Sequence, residues 1–367
     1  MFEKLKGALD YIKGKKPTLV EYSNEDTLPY LSAEYLRNNK LESYVDKKNI
    51  DSKYHCNSDD LLIIWDGSNS GEVFMGKPGI LSSTMAKLNI KDKKYTNKYL
   101  YYFLKQKFSI LNEKVTGAAI PHLNRAVLEN LEIYSATQSE QQEIVQVLDT
   151  MSDIIRLREE CISHAQDLIP ALFQKMFDNP QTNRKNLNKV KVGKILTLSS
   201  GKFLPAKEMD ENGIYSVYGG NGINGHHNKY LFEEPQLCIG RVGVKCGCVH
   251  LTEPKSWITD NALYINKLLK SLNMIYLKEA LTQINLNQYA KRAAQPVISQ
   301  STIYNQYILE PPIELQELFA QKAIEIESYI KEQQEELKNA KQMFQSLLHH
   351  AFTGELTRHK FGGDANG

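Results

Sequence analysis

The sequence predicts an α+β protein: two similar mixed α/β domains joined by two long antiparallel coiled-coil helices, with pseudo-two-fold symmetry. Three observations carry this. In Gln138 to Met176, the positions Ile144, Leu148, Met151, Ile155, Arg158, Ile162, Ala165, Ile169, Leu172 and Met176 step by fours and threes. A heptad repeat keeps one narrow stripe of a helix facing a partner helix. In Ile313 to Ala351 the same stripe returns 175 residues later as Phe319, Ala323, Ile326, Ile330, Gln333, Leu337, Ala340, Phe344, Leu347 and Ala351. The repeat also extends beyond the helices, pairing Pro121 with Pro296, Asn130 with Asn305, Gln141 with Gln316 and Phe177 with Phe352. Upstream, Gly71 answers Gly247 at an offset of 176, and Gly14-Lys15 answers Gly201-Lys202 at 187, so loops of unequal length intervene. A globular unit and a long helix have been duplicated in tandem.

Within each helix one polar residue interrupts the stripe, Arg158 in the first and Gln333 in the second. Opposed in an antiparallel pair, they would set the register at some cost in stability. Pro170 removes an amide donor near the end of the first stripe and predicts a kink.

The domain organisation follows. Residues 1–135 form a first α/β domain, 136–178 the first long helix, 179–189 a polar, lysine-rich linker, 190–312 the second domain, 313–353 the second long helix and 354–367 a glycine-rich tail. In the first domain, Leu5 to Ile12 reads as a short helix ending at Gly14-Lys15, and Leu28–Leu31 and Asp60–Trp65 read as buried strands. Tyr95 to Leu111 reads as helix, its aromatics at core spacing. In the second domain, Leu237–Gly240 and a run through Val249 read as strands and Ser271–Leu281 as helix. The loop Tyr218 to Lys229 contains four glycines, which let backbone approach a ligand closely, and its Asn, His and Lys supply donors.

At 367 residues and 41% hydrophobic, the chain can bury two domain-sized cores. No run of eighteen apolar residues exists, no hydrophobic signal core follows Met1, and five cysteines without framework spacing suit a reducing cytoplasm. The charge is unevenly spread. Residues 1–135 hold 20 Lys and Arg against 17 Asp and Glu, and 188–312 hold 14 against 9, whereas 136–187 hold 5 against 8 and 313–367 hold 6 against 9. The lobes are basic and the helices acidic, so a polyanion would prefer the lobes.

Catalytic and metal motifs are absent. Cys246, Cys248 and His250 alternate along a strand and lack the Cys-x₂₋₄-Cys spacing of a zinc site, so with Cys238 they read as small buried hydrophobes. Gly219-Gly220-Asn221-Gly222 continues into neither a phosphate-binding nor a dinucleotide motif. Asp178-Asn179-Pro180-Gln181 lacks the second proline and the aromatic of an amino-methyltransferase motif and reads as a helix stop. No cofactor is expected.

Recognition fits what remains. A helix of about 38 residues is roughly 57 Å long, and DNA half-sites one turn apart need about 34–36 Å between centres. Arg can grip guanine bidentately and Asn can grip adenine. The candidate DNA contacts are therefore Arg37, Asn69, Ser70, Lys77 and Ser83 in the first lobe, and Asn221, Asn224, His226, Lys229, Arg241, Lys245 and Arg292 in the second. The alternative is a two-lobed protein-interaction scaffold that binds no DNA.

The chain resembles the specificity subunits of type I restriction–modification systems. The residues that carry the resemblance are Thr116 to Asn124, Leu128-Glu129-Asn130-Leu131-Glu132-Ile133, Ser139 to Val145 and Leu172 to Phe177. In the second half they are Gln295 to Ser299, Glu310 to Gln316 and Phe352-Thr353-Gly354-Glu355-Leu356. The pattern departs from the family at Tyr134-Ser135-Ala136-Thr137, where prolines are usual, and at Leu315-Gln316, where a Glu-Gln pair is usual. The resemblance implies two target-recognition domains, each reading one part of a bipartite sequence in double-stranded DNA, with the helices as a ruler. It also implies partners: DNA adenine methyltransferase subunits, two of them, and ATP-dependent restriction subunits. S-adenosylmethionine and ATP would belong to those partners, not to this chain.

Overall fold

The computed structural model describes residues 1–91, 94–117, 120–291 and 295–356. The described residues form two compact units, one from 1–158 with 336–356 and the other from 159–335. Each unit takes its α/β lobe from one half of the chain and a helical segment from both. The long helices run Gln138–Phe177 and Ile313–Thr353, the first continuing past Pro170.

In the first unit, the strands Leu9–Lys13, Met85–Ile90, Leu61–Ile64 and Val73–Met75 form an antiparallel sheet in that order. A second sheet orders Tyr44–Asp46, Thr27–Leu31, Gly79–Leu81 and His55–Cys56, with Thr27–Leu31 parallel to Gly79–Leu81. The helix Asn97–Gln106 covers the first sheet, and Phe2–Lys4 pairs with Glu132–Tyr134 just before the first long helix. The second unit repeats the plan with Leu196–Ser200, Ala262–Leu268, Leu237–Gly240 and Val249–Leu251 under the helix Met274–Gln283. Its smaller sheet differs, being a long hairpin of Tyr215–Gly219 and Gly222–His227 with Trp257–Ile258 alongside.

Two expected elements are corrected. Tyr218 to Lys229 is not a loop throughout, since most of it belongs to the paired strands Tyr215–Gly219 and Gly222–His227. Leu5 to Ile12 is no helix: Phe2–Lys4 and Leu9–Lys13 are strands, separated by a turn at Gly7 with φ +82°. Leu5, Leu9 and Ile12 fit helical spacing, but neighbouring strand edges supply hydrogen bonds that a helix eight residues long could not match.

The duplicated positions do duplicated work. Gln141 and Gln316 are both buried. The Thr96 amide donates to Gln141 Oε1 (2.8 Å), and Gln141 Nε2 donates to the carbonyls of Lys94 (2.9 Å) and Ala136 (3.0 Å). Likewise the Asn273 amide donates to Gln316 Oε1 (3.0 Å), and Gln316 Nε2 donates to the Pro311 carbonyl (2.9 Å). Thr96 and Asn273 are the N-caps of the two lobe helices, so each glutamine ties its long helix to the start of the helix that covers the sheet. Gln141→Ala is expected to lower stability by about 1–3 kcal/mol for each buried group left without a partner, measurable by denaturant titration.

The aromatic cores match too. Tyr99 Oη donates to the Tyr134 carbonyl at 2.8 Å, and Tyr276 Oη to the Leu309 carbonyl at 2.7 Å. Against Tyr99 lies Phe352 of the second long helix, and against Tyr276 lies Phe177 of the first (ring centroids 5.1 and 5.0 Å). Within each unit the helices pair antiparallel. In the first, Ile144, Leu148 and Met151 share a core with Phe344, Leu348 and Ala351. In the second, Phe173 meets Phe319 at 5.5 Å while Cys161 Sγ lies 3.2 Å from Tyr329 Oη. Arg158, the polar break in the first stripe, pairs with Glu336, three residues beyond Gln333.

After the first long helix, Asp178 adopts φ +69° and turns the chain into the linker. Its carboxylate accepts from the Arg184 amide (2.7 Å), the Arg184 guanidinium and the Thr182 hydroxyl (2.9 Å). Arg184 foremost, then its backbone amide, holds the Asp178 carboxyl well below the usual carboxylate range. Because the folded value is depressed, this contribution is present above the unfolded value of about 4 and is lost as pH falls below it. Asp178→Asn is therefore expected to flatten the acid side of the stability profile between about pH 4 and 2 and to leave its neutral side the same shape.

Candidate nucleic-acid interface

The irregular loops that follow Leu61–Ile64 and Leu237–Gly240 are built on one backbone frame. In the first lobe the Gly67 amide donates to the Pro121 carbonyl (2.9 Å), the Leu123 amide to the Trp65 carbonyl (2.8 Å), and Thr116 and His122 exchange backbone bonds. In the second, Gly243 donates to Pro296 (3.0 Å), Ile298 to Arg241 (2.9 Å), and Lys291 pairs with Val297. Asn112 Nδ2 donates to the Ser68 and Ser70 carbonyls, and Asn287 Nδ2 to those of Val244 and Cys246, so each loop is pinned from behind by the same residue type. The strand entering beside each loop ends in a glycine against foreign backbone. A Cβ on Gly14 would lie 2.0 Å from the Ser82 carbonyl oxygen, and one on Gly201 2.3 Å from that of Thr259.

On that common frame the exposed side chains differ. In the first lobe Asp66 Oδ1 lies 2.6 Å from His122 Nδ1 and Oδ2 lies 2.8 Å from Lys13 Nζ. The Asp66 side chain is 17% exposed, Lys13 43% and His122 46%. Burial alone would raise the Asp66 carboxyl, but the Lys13 and His122 hydrogen bonds win and hold it below its ordinary value. Trp65 stacks on Tyr11 (4.6 Å), and the Arg125 guanidinium covers the other part of that pair, 5.0 Å from the Tyr11 ring. In the second lobe the matching positions hold Ser200, Arg241, Val242 and Val297. Arg241 Nη1 donates to Ser200 Oγ at 3.4 Å, and among the described residues no carboxylate pairs with it.

The structure sorts the other candidates by what already holds them. Arg37 is engaged by Glu72 through a two-pronged ion pair (Nε–Oε1 3.2 Å, Nη2–Oε2 2.5 Å). Lys77 binds Asn39 Oδ1 and lies 4.5 Å from the Tyr35 ring centre. Ser83 is half-buried with its amide donating to Tyr30 Oη, whereas Asn69 is exposed on its loop. Ser70 has no exposed surface, and its hydroxyl donates to the Gly67 carbonyl at 2.7 Å, making it part of the frame. Its counterpart Cys246 is equally buried. In the second lobe Asn221, Asn224, Lys229 and Lys245 are exposed and His226 is half-buried. The hairpin turn presents Asn221 and requires φ +97° at Gly222, which lies near the His250 ring, while Asn224 sits on the strand that leaves it. Arg292 lies outside the described residues. Lys13, Asp66, His122 and Arg125 lie far apart in the sequence, where the trace of their grouping is the offset that aligns Lys13 with Ser200 and Asp66 with Val242.

Cys56, Cys238 and Cys246 are buried, whereas Cys161 and, against expectation, Cys248 are only half-buried. Burial pushes the Cys238 thiol up to about 12, and among the described residues no group of three His, Cys, Asp or Glu is placed to hold a metal ion. No helix of the described residues is long and apolar enough to cross a membrane.

Comparison with known proteins bears on both lobes. The family model for the type I restriction modification DNA specificity domain matches residues 1–164 and 184–341. The chain is 28% identical over 390 residues to the type I restriction enzyme MjaVIII specificity subunit of Methanocaldococcus jannaschii, covering 95% of this chain and 91% of that one. It is 19% identical to the EcoBI specificity subunit of Escherichia coli, covering 92% and 82%. Its fold is similar to that of the crystal structure of a type I restriction-modification system S subunit from M. genitalium, with a TM-score of 0.64 at 17% identity over 96% of both chains. With two copies of the domain, each spanning a lobe and part of a long helix, the chain belongs to the type I restriction modification DNA specificity family.

Proposed function

We propose that this chain is the DNA sequence-specificity subunit of a type I restriction–modification complex in the cytoplasm. Each lobe reads one half of an asymmetric, two-part target in double-stranded DNA, and the paired helices set the spacer and dock two adenine methyltransferase subunits. Methylation, and cleavage by ATP-dependent restriction subunits, reside in those partners. This chain performs no catalysis and needs no cofactor of its own. One observation supports the reading above the rest: the two lobes share a loop frame down to individual backbone hydrogen bonds and differ in the side chains it exposes. A scaffold held constant under changed surface chemistry is what two readers of unlike sequence require. Base contacts are assigned first to the exposed Asn69, Asn221, Asn224, Lys229 and Lys245 and to the half-buried Arg241, and only second to Arg37 and Lys77, which would have to leave their present partners.

Binding of the assembled methyltransferase complex to DNA as a function of salt tests this. Phosphate contacts by the basic lobes predict that log K falls linearly with log salt, with a slope of about −0.9 per contact. A complex that assembles yet shows no salt-sensitive DNA affinity would favour the protein-interaction scaffold instead.

A further inference from the structure

We propose that Lys13, Asp66 and His122 form the base-reading group of the first lobe, directed at the major-groove edge of a purine. The proposal rests on the two-reader assignment above and names the residues that make the first lobe's half-site differ from the second's.

The argument starts from what the cluster is not needed for. In the first lobe Asp66 and His122 face each other across a backbone bridge, and their side chains meet at 2.6 Å. In the second lobe the same bridge joins Val242 and Val297, with no charge at either position. The flanking bonds, Gly67 to Pro121 and Gly243 to Pro296, are equally formed at 2.9 and 3.0 Å. The loop therefore closes without ions. Lys13 and His122 are nearly half exposed, so solvent screens their pairs with Asp66 and ordering them costs entropy, which keeps the net stabilisation small. A cluster that the frame does not require, on a surface already assigned to recognition, is free to serve a ligand.

Its geometry then says which ligand. Asp66 is the most buried of the three, and each of its carboxylate oxygens is occupied, Oδ1 by His122 Nδ1 and Oδ2 by Lys13 Nζ. It serves as the positioning residue. Lys13, nearly half exposed, keeps two N–H donors beyond the one given to Asp66, and His122 keeps Nε2. A purine presents N7, an acceptor, beside a 6-substituent: an amine in adenine, an oxygen in guanine. Lys13 matches N7, and His122 Nε2 matches the 6-position, accepting from adenine N6 when neutral or donating to guanine O6 when protonated. Trp65, next to Asp66 in the chain, stacks on Tyr11, and Arg125 lies over the Tyr11 ring. In the second lobe the exchanged residues present two valine side chains beside Arg241, chemistry suited to a thymine methyl next to guanine.

The test is a transplant within the chain. The variant Lys13→Ser, Asp66→Val, His122→Val installs at three positions the residues that the second lobe already carries on the same frame. It is assembled with the methyltransferase subunits and offered a DNA library randomised across the target, alongside wild type and the single variant His122→Gln. The expected result is loss of purine preference at one base pair, or two adjacent ones, of one half-site, by about 10- to 100-fold, the range of one or two base-edge contacts. His122→Gln should change preference at the same position. The other half-site should be selected as in wild type, which also reports that the complex is folded. An unchanged motif would overturn the proposal. So would an even loss of affinity for all sequences with a shallower salt slope, since that marks phosphate contacts. If wild type itself selects no two-part motif, the two-reader assignment fails and takes this proposal with it.

Discussion

Phe177→Ala is expected to destabilise the second unit by about 3–5 kcal/mol, the cost of emptying a well-packed aromatic site. Phe177 is the last residue of the first long helix and has no exposed surface. Its ring meets Phe173 at 5.1 Å, Tyr276 at 5.0 Å and Phe319 at 5.7 Å, so it joins both long helices to the helix that covers the second sheet. Nothing small can collapse into a space walled by three other rings. The loss is a large part of a typical domain stability of about 5–15 kcal/mol. Hydrogen exchange should show lowered protection in Leu196–Ser200, Leu237–Gly240 and Ala262–Leu268. Phe352→Ala should do the same to Leu61–Ile64 and Met85–Ile90, because Phe352 fills the matching site against Tyr99 and Phe103. A loss below about 1 kcal/mol would mean that the aromatic cluster does not anchor the helix end.

The second large effect is on recognition. Arg241→Ala is expected to cost about 1–3 kcal/mol in discrimination at one position of the half-site read by the second lobe and to leave the other half-site intact. Arg241 follows directly on the buried strand Leu237–Gly240, so its backbone is fixed, and its carbonyl accepts from Ile298 at 2.9 Å. Its guanidinium makes a hydrogen bond to Ser200 and, among the described residues, no ion pair, in contrast to the Arg37 fork on Glu72. Arg241→Lys should not restore discrimination, because an ammonium lacks the planar two-donor edge. Selection with the assembled complex measures this directly. Equal loss at both half-sites would point to a fold defect.

Much of the architecture was legible because it is written in side-chain periodicity. Ile144, Leu148, Phe319 and Ala323 are all on the heptad stripe and all fully buried. The duplication offset aligns Gln141 with Gln316, and both tie a helix cap. The stretch Leu5 to Ile12 failed for a physical reason: its apolar spacing suits a helix, but hydrogen-bond partners far along the chain, Leu88 and Ile90 among them, decide the outcome. Ser70 shows the same limit at a site. In isolation it is a polar loop residue, yet its offset partner Cys246 is a residue type usually buried, and the pair occupy one place in the frame. Side-chain groups assembled across long separations, such as Lys13 with Asp66 or Arg37 with Glu72, leave no periodic trace.

The most direct test is a map of methylated adenines in DNA modified by the assembled complex. The account predicts a two-part motif with an unspecified spacer, one half changing with Lys13, Asp66 and His122 and the other with Arg241. A single uninterrupted motif, or one in which both sets of variants alter the same bases, would contradict it.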